Sequence, residues 1–279
     1  MPGNMPRSGL LAGRARTLAG LWAFVLLASA APAAAEEIVT VSGRKGETQS
    51  YLLMHRNAAQ VKAVAVLFPG GEGLLKLRTE GNSVKFQGGK NFLVRSRGLF
   101  RDAEVAVAIV DSPSDRQRLG MDDGFRAARA HAEDIAAVVR DLKNRFPGGK
   151  IFLIGTSRGS VSAANLGRSL GEAVDGVVLT STVFYGDRHG NGLSGFDFGA
   201  MKAPLLFVHH ANDGCRPCPY NAAESQSRRF PLVTVKGGKP AESDPCEALS
   251  AHGYFGKEAE TVAAIKSWML GRAFPKTVE

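Results

Sequence analysis

The sequence predicts an α/β domain in which a mostly parallel central sheet is flanked by helices. Three observations carry this. Short β-rich runs alternate with longer stretches of helical periodicity, the pattern of successive βα units. Two of the runs, Ala63–Phe68 and Val105–Val110, are apolar without a break, as strands buried on both faces must be. Residues 36–279 have a length ordinary for one such sheet with its helices, and they contain no internal repeat or low-complexity tract.

Residues 1–35 are set apart from that domain. Arg7, Arg14 and Arg16 give a basic start without an acidic residue. The apolar run Leu18–Ala31 is too short to span a hydrocarbon core of roughly 30 Å as a helix, and Ala33-Ala34-Ala35 fits an A-x-A cleavage site. A cleavable secretory signal over 1–35 is therefore expected, with a retained anchor as the alternative. Adjacent arginines are absent, which favours the general export route over the twin-arginine one. The domain would then be 36–279, in the periplasm or outside the cell.

Composition narrows the partners. The net charge of +9 falls to about +6 once the three signal arginines are set apart, and the remaining basic residues are scattered among acidic ones. No basic run or aromatic-interleaved stripe exists, so nucleic acid is not an expected partner. No second segment is long and apolar enough to insert stably in a membrane.

Taken in order, Ile38–Val41 and Tyr51–His55 read as opening strands, paired antiparallel at an edge. Ala63–Phe68 stops abruptly at Pro69-Gly70-Gly71 and reads as a central strand. Residues 72–90 read as loop and Phe92–Phe100 as helical. After the strand Val105–Val110, the positions Ala128, Ile135, Val138, Val139, Leu142 and Phe146 recur at three- and four-residue steps, predicting one long helix over 124–146 that Pro147-Gly148-Gly149 ends. Strands follow at Ile151–Ile154, Val174–Leu179 and Leu205–His209, with a helix at Ser160–Leu170. Leu232–Val235 reads as the last strand and Glu258–Leu270 as a closing amphipathic helix.

Gly155-Thr156-Ser157-Arg158-Gly159 matches G-x-S-x-G. A shuffled chain of this composition carries the bare pattern about a quarter of the time, so the setting must carry the argument. That setting is specific: the pentapeptide directly follows the apolar strand KIFLI and directly precedes a helix, as a nucleophile elbow requires. The turn projects the serine hydroxyl outward, and only glycines let strand and helix approach so closely.

A serine hydroxyl needs a base, and the base needs a carboxylate to hold its tautomer. Asp213 follows the strand LLFVHH at its carboxyl end, where open sheets keep their sites. Asp187, after the preceding strand, is the second choice. His252, between the last predicted strand and the closing helix, is the sole histidine after Asp213. His209 and His210 read as packing groups; His55, His131 and His189 as strand, helix-face and loop residues. Donors for an oxyanion are expected from the backbone N–H of Arg158 and from Gly70 or Gly71, with Gly71 preferred. The Arg158 side chain either pairs with an anionic substrate group or sits in a salt bridge.

Cys215-Arg216-Pro217-Cys218 has thioredoxin-like and zinc-binding readings, but it lies late in a long domain and no second C-x-x-C or H-x-x-x-H exists. If Asp213 must reach His252, then Cys215, two residues past the acid, and Cys246, six before the base, come within bridging range. A Cys215–Cys246 disulfide is the expected pairing, with Cys218 as the alternative partner. No metal or organic cofactor is implied.

Pro69-Gly70-Gly71, GTSRG, HANDGC around Asp213 and AHG around His252 occur in the order of the α/β-hydrolase superfamily, and the chain resembles it over most of 36–279. It is also similar to a group of exported bacterial α/β-hydrolases, without an assigned substrate, that share Asn91–Ser96, Asp111–Asp115, GTSRG and a cysteine near both acid and base. The resemblance implies acyl-enzyme chemistry on a small-molecule ester, thioester or amide, most directly carboxylic-ester hydrolysis. An acyltransferase or peptidase with the same triad, and a non-catalytic binding protein on this fold, are the alternatives. No long insertion follows the sixth strand of the fold, so no large lid domain is expected.

Overall fold

Alternation along fully buried strands builds the core. The computed structural model describes residues 1–5 and 36–279. The chain divides into two units, Met1–Ala31 and Pro32–Glu279. In the first, residues 1–5 are exposed and in no regular element; the predicted signal lies, from residue 6 to 35, outside the described residues.

The second unit opens with β1 (Glu36–Ser42) and β2 (Thr48–Met54), antiparallel with Ile38 opposite Leu52. Then come β3 (Ala63–Phe68), the small hairpin β4 (Arg78–Glu80) and β5 (Ser83–Lys85), α1 (Phe92–Arg95), α2 (Arg97–Phe100) and β6 (Val105–Val110). Next are α3 (Asp123–Ala127), α4 (Arg129–Arg145), β7 (Lys150–Thr156), α5 (Gly159–Leu170), β8 (Gly176–Thr180) and β9 (Leu205–His210). The chain closes with α6 (Tyr220–Gln226), β10 (Leu232–Val235), α7 (Glu258–Met269) and β11 (Thr277–Val278).

Among the described residues the main sheet has the order β1-β2-β6-β3-β7-β8-β9-β10-β11. It is parallel from β6 to β11 and antiparallel only where β2 joins. β3 and β6 are buried at every position. In β3, Val64, Val66 and Phe68 face one apolar cluster with α4, α5 and α6, while Ala63, Ala65 and Leu67 face a second with α1, α2 and α7. The sheet is thus covered on both sides, which is why its inner strands lack a polar face.

Four predicted elements need correction. The helix over 124–146 is interrupted at Ala128, whose ψ of 154° is extended, and α3 and α4 are separate. The helical stretch over 92–100 is two short helices meeting at Ser96. Residues 72–90 contain the β4-β5 hairpin, and β10 is followed by β11, which pairs parallel with it at the edge. The segment from 181 to 204 between β8 and β9 holds one short 3-10 turn at Phe198–Ala200, so no helical lid stands over the sheet there. No helix among the described residues is long and apolar enough to cross a membrane.

Candidate active site

The carboxyl ends of β3, β7, β9 and the turn before α7 converge on one cleft of about 1120 Å³, lined by Gly70, Gly71, Ser157, Arg158, Cys215 and His252 among others. Ser157 occupies the turn between β7 and α5 in the left-handed region, with φ of 51°. A non-glycine residue there is strained, and the surroundings hold it in place: its N–H donates to Thr180 O at 3.1 Å, and its carbonyl accepts from Ser160 N at 2.8 Å. The flanking glycines are required by contact. A Cβ on Gly155 would stand 2.2 Å from Gly159 O, and one on Gly159 would stand 1.9 Å from Phe68 O.

Asp213 and His252 meet across the end of the sheet. His252 Nδ1 lies 2.9 Å from Asp213 Oδ2 and 3.2 Å from Oδ1, with both side chains almost wholly buried. An ionised carboxylate only accepts, so Nδ1 carries the proton and Nε2 is left with its lone pair. Nε2 is buried and has no hydrogen-bond partner among the described residues. Catalytic hydrogen bonds of this kind tighten in complexes with substrate.

Asp187 is elsewhere. It pairs with one arm of the Arg158 guanidinium, and Asp123 with the other. Partial burial pushes the Asp187 carboxyl up, but the His189 N–H and Arg158 outweigh this and hold it below the usual carboxylate range. Of the two roles expected for the Arg158 side chain, the structure has the salt bridge.

Gly70 and Gly71 both border the cleft. A Cβ on Gly70 would sit 3.0 Å from Ser157 Cβ, whereas the Gly71 Cβ position is open. Gly71 has a φ of 58°. Gly70 O accepts from Gly73 N at 3.2 Å, closing a tight turn over the end of β3.

Cys215 and Cys246 are joined by a disulfide, and Cys218 is a buried free thiol. Burial pushes the Cys218 thiol well above its ordinary pKa, away from the thiolate form. Cys215, Cys218 and His252 place ligand-capable atoms within 4.8 Å of one another. Zinc binds thiolate sulfur, and Cys215 Sγ is already bonded to Cys246, so the trio is not a three-ligand site in this form.

The other histidines are structural. His209 Nε2 accepts from Thr182 N at 2.7 Å, and burial pushes its pKa down to about 4. His210 bridges Asn212 N and Gly237 O. His131 is fully buried against Ser162 Oγ at 3.1 Å, and desolvation followed by the neighbouring Arg126 charge pushes it down to about 3.

Several supporting residues carried no recognisable role in the sequence. Arg95 donates to Gly253 O at 2.5 Å and pairs with Glu258, which ties α1 to the His252 turn. Asp111 accepts from Leu75 N, Leu77 N and Ser112 N, fixing the loop behind the cleft. Tyr254 O–H donates to Val208 O at 2.6 Å and receives Ser181 N at 3.0 Å. Arg95 and Asp111 lie in the segments Asn91–Ser96 and Asp111–Asp115, and each braces a loop of the site.

A parallel sheet with a serine on a strained strand-to-helix turn and an Asp–His pair at neighbouring strand ends is the arrangement of the α/β-hydrolase fold. The comparisons agree. A family model described as Serine aminopeptidase, S33, matches residues 114–215. An α/β serine hydrolase without a lid from Xanthomonas campestris aligns at 15% identity and a TM-score of 0.57, covering 86% of this chain and 95% of that one. Dienelactone hydrolase from Anabaena variabilis aligns at 14% identity and 0.57, covering 86% and 98%. A cold-adapted esterase from an Arctic intertidal metagenomic library aligns at 13% identity and 0.55, covering 83% and 93%. No curated protein sequence matches significantly. The chain has the fold of the α/β hydrolases; at such low identities the solved structures establish that fold alone.

Proposed function

We propose that this protein is an exported serine hydrolase that cleaves carboxylic esters through an acyl-enzyme on Ser157. The observation that carries the reading is the buried Nε2 of His252, unpartnered in the cleft that Ser157 also lines, while Asp213 holds the opposite nitrogen. Ser157 Oγ attacks the ester carbonyl and passes its proton to His252 Nε2; the imidazolium is stabilised by Asp213 and then protonates the departing alkoxide. A water repeats the sequence, with His252 as base, and releases the acid. The backbone N–H groups of Arg158 and Gly71 are the donors assigned to the oxyanion.

The esterase and the dienelactone hydrolase among the structural relatives support an ester substrate, and the absence of a helical lid between β8 and β9 suits a small one. The family match over residues 114–215 favours a second reading, a peptidase with the same triad. An acyltransferase would use that triad with an alcohol in place of water. Ser157→Ala separates all of these from a non-catalytic binding protein. Turnover of p-nitrophenyl acetate should fall by several orders of magnitude with the fold intact, and retention of more than about a tenth of the rate would refute the assignment. Export rests on residues 1–35; secreted material should begin at Glu36, and material beginning at Met1 would mean a retained segment.

A further inference from the structure

Arg126, on α3, is only 1% exposed. Its hydrogen bonds go to neutral acceptors: Nη1 to Ser162 Oγ at 2.8 Å, Nη2 to Gly71 O at 3.0 Å and Pro69 O at 3.4 Å, and Nε to Met121 O at 3.4 Å. A buried cation without a carboxylate on it is costly, so its place calls for a reason. Burial pushes its pKa down to about 10, which leaves the guanidinium charged at neutral pH.

The acceptors supply the reason. In a trans peptide the carbonyl and the following N–H point in opposite directions across one rigid plane. Holding Pro69 O toward Arg126 therefore turns the N–H of Gly70 the other way, and Gly70 has Ser157 Cβ 3.0 Å from its own Cβ position. The next plane is fixed by Gly73 N on Gly70 O, which sets the N–H of Gly71. The third is fixed by Arg126 on Gly71 O. The loop rests directly on the guanidinium, because a Cβ on Gly73 would stand 2.8 Å from Nη2.

We infer that Arg126 is a positioning residue for acyl transfer: from inside the core it holds the peptide planes on either side of the one that carries the Gly71 N–H, fixing the Pro69–Gly71 loop that takes up the oxyanion, and so acts on the transition state and not on substrate binding. The inference rests on the hydrolase reading above. Ser162 anchors the other arm of the guanidinium and is shared with His131.

The test measures steady-state kinetics on an activated ester, thermal unfolding, and two inhibitors: an alkyl boronic acid, whose serine adduct carries an oxygen in the oxyanion position, and the product carboxylate. Arg126→Met should lower kcat by about 10²-fold with KM within about twofold, as loss of an oxyanion donor does. Boronate affinity should weaken in step with kcat while carboxylate affinity holds. Arg126→Lys, which keeps charge but not the planar fork, should fall between. Should Arg126→Met fail to fold, Ser162→Ala decides: a severalfold loss of kcat at constant KM is expected, and unchanged kcat overturns the proposal. A folded Arg126→Met with kcat within about twofold of the parent, or with its loss confined to KM, also overturns it. A parent protein inert to both ester and boronate overturns the hydrolase reading and this inference together; an active parent with unaffected variants overturns this inference alone.

Discussion

The disulfide joins the two loops that carry Asp213 and His252, the acid and base of the proposed mechanism, and breaking it should reduce both stability and rate. Cys215 and Cys246 are 31 residues apart. Closing a loop of that length stabilises a fold by about 4 kcal/mol on the chain-entropy account. For a domain of this size each kcal/mol corresponds to about 2 to 4 °C, so Cys246→Ser should unfold roughly 8 to 16 °C below the parent. The effect on rate follows from local bonds. On the acid side, Cys215 N donates to Asp213 Oδ1 at 2.9 Å. On the base side, Ser250 Oγ bonds Pro245 O at 3.1 Å and Glu247 O at 2.8 Å and receives His252 N at 3.2 Å. The bond therefore starts two residues past Asp213 and ends at Cys246, whose neighbours Pro245 and Glu247 are tied to His252 N through Ser250, and Cys246 is on the exposed side where a reductant can reach it. Calorimetry and ester turnover on the parent, the reduced parent and Cys246→Ser measure this, with Cys218→Ser as the control that keeps the bridge. A Cys246→Ser protein melting within about 2 °C of the parent at equal kcat would refute the reasoning.

Three further outcomes are expected. Asp213→Asn should lower kcat by about 10⁴-fold by presenting the wrong histidine tautomer, while Asp187→Asn costs less than tenfold; the reverse order would exchange their roles. Gly159→Ala should cost more than about 3 kcal/mol in urea unfolding, because its new methyl meets Phe68 O at 1.9 Å, and an unchanged midpoint would contradict that contact. Stability should fall in mild acid. His131 and His209 have folded pKa values of about 3 and about 4, below the ordinary 6.5, so the unfolded chain binds more protons across that window. Their contribution is fully present above about pH 6.5 and is lost as pH falls, by about 2 kcal/mol each at pH 5. Urea titrations at pH 7.5 and 5 measure it, and equal stabilities would contradict it.

What was legible in the sequence was local. KIFLI followed by GTSRG identifies strand, turn and helix because the chemistry of each lies within a few residues, and unbroken apolar runs mark β3 and β6 because burial on both faces removes every polar position. Position ranks Asp213 above Asp187 without excluding the second, since both follow strands; the fold puts one on His252 and the other on Arg158. The break at Ala128 is invisible because alanine favours helix; the two helices are set apart by packing, where α3 turns Arg126 into the core beneath the Pro69–Gly71 loop. A buried arginine reads in a sequence as surface. β11 has two residues and exists only through its pairing with β10.

The central claim is that Ser157 is the nucleophile, and covalent labelling tests it most directly. The protein is incubated with a fluorophosphonate, digested, and the modified peptide sequenced by mass spectrometry. One adduct on Ser157, absent in His252→Ala because the hydroxyl is then without its base, is the predicted result. A folded protein that takes no label, or that is labelled at another residue while Ser157 stays free, would contradict the account.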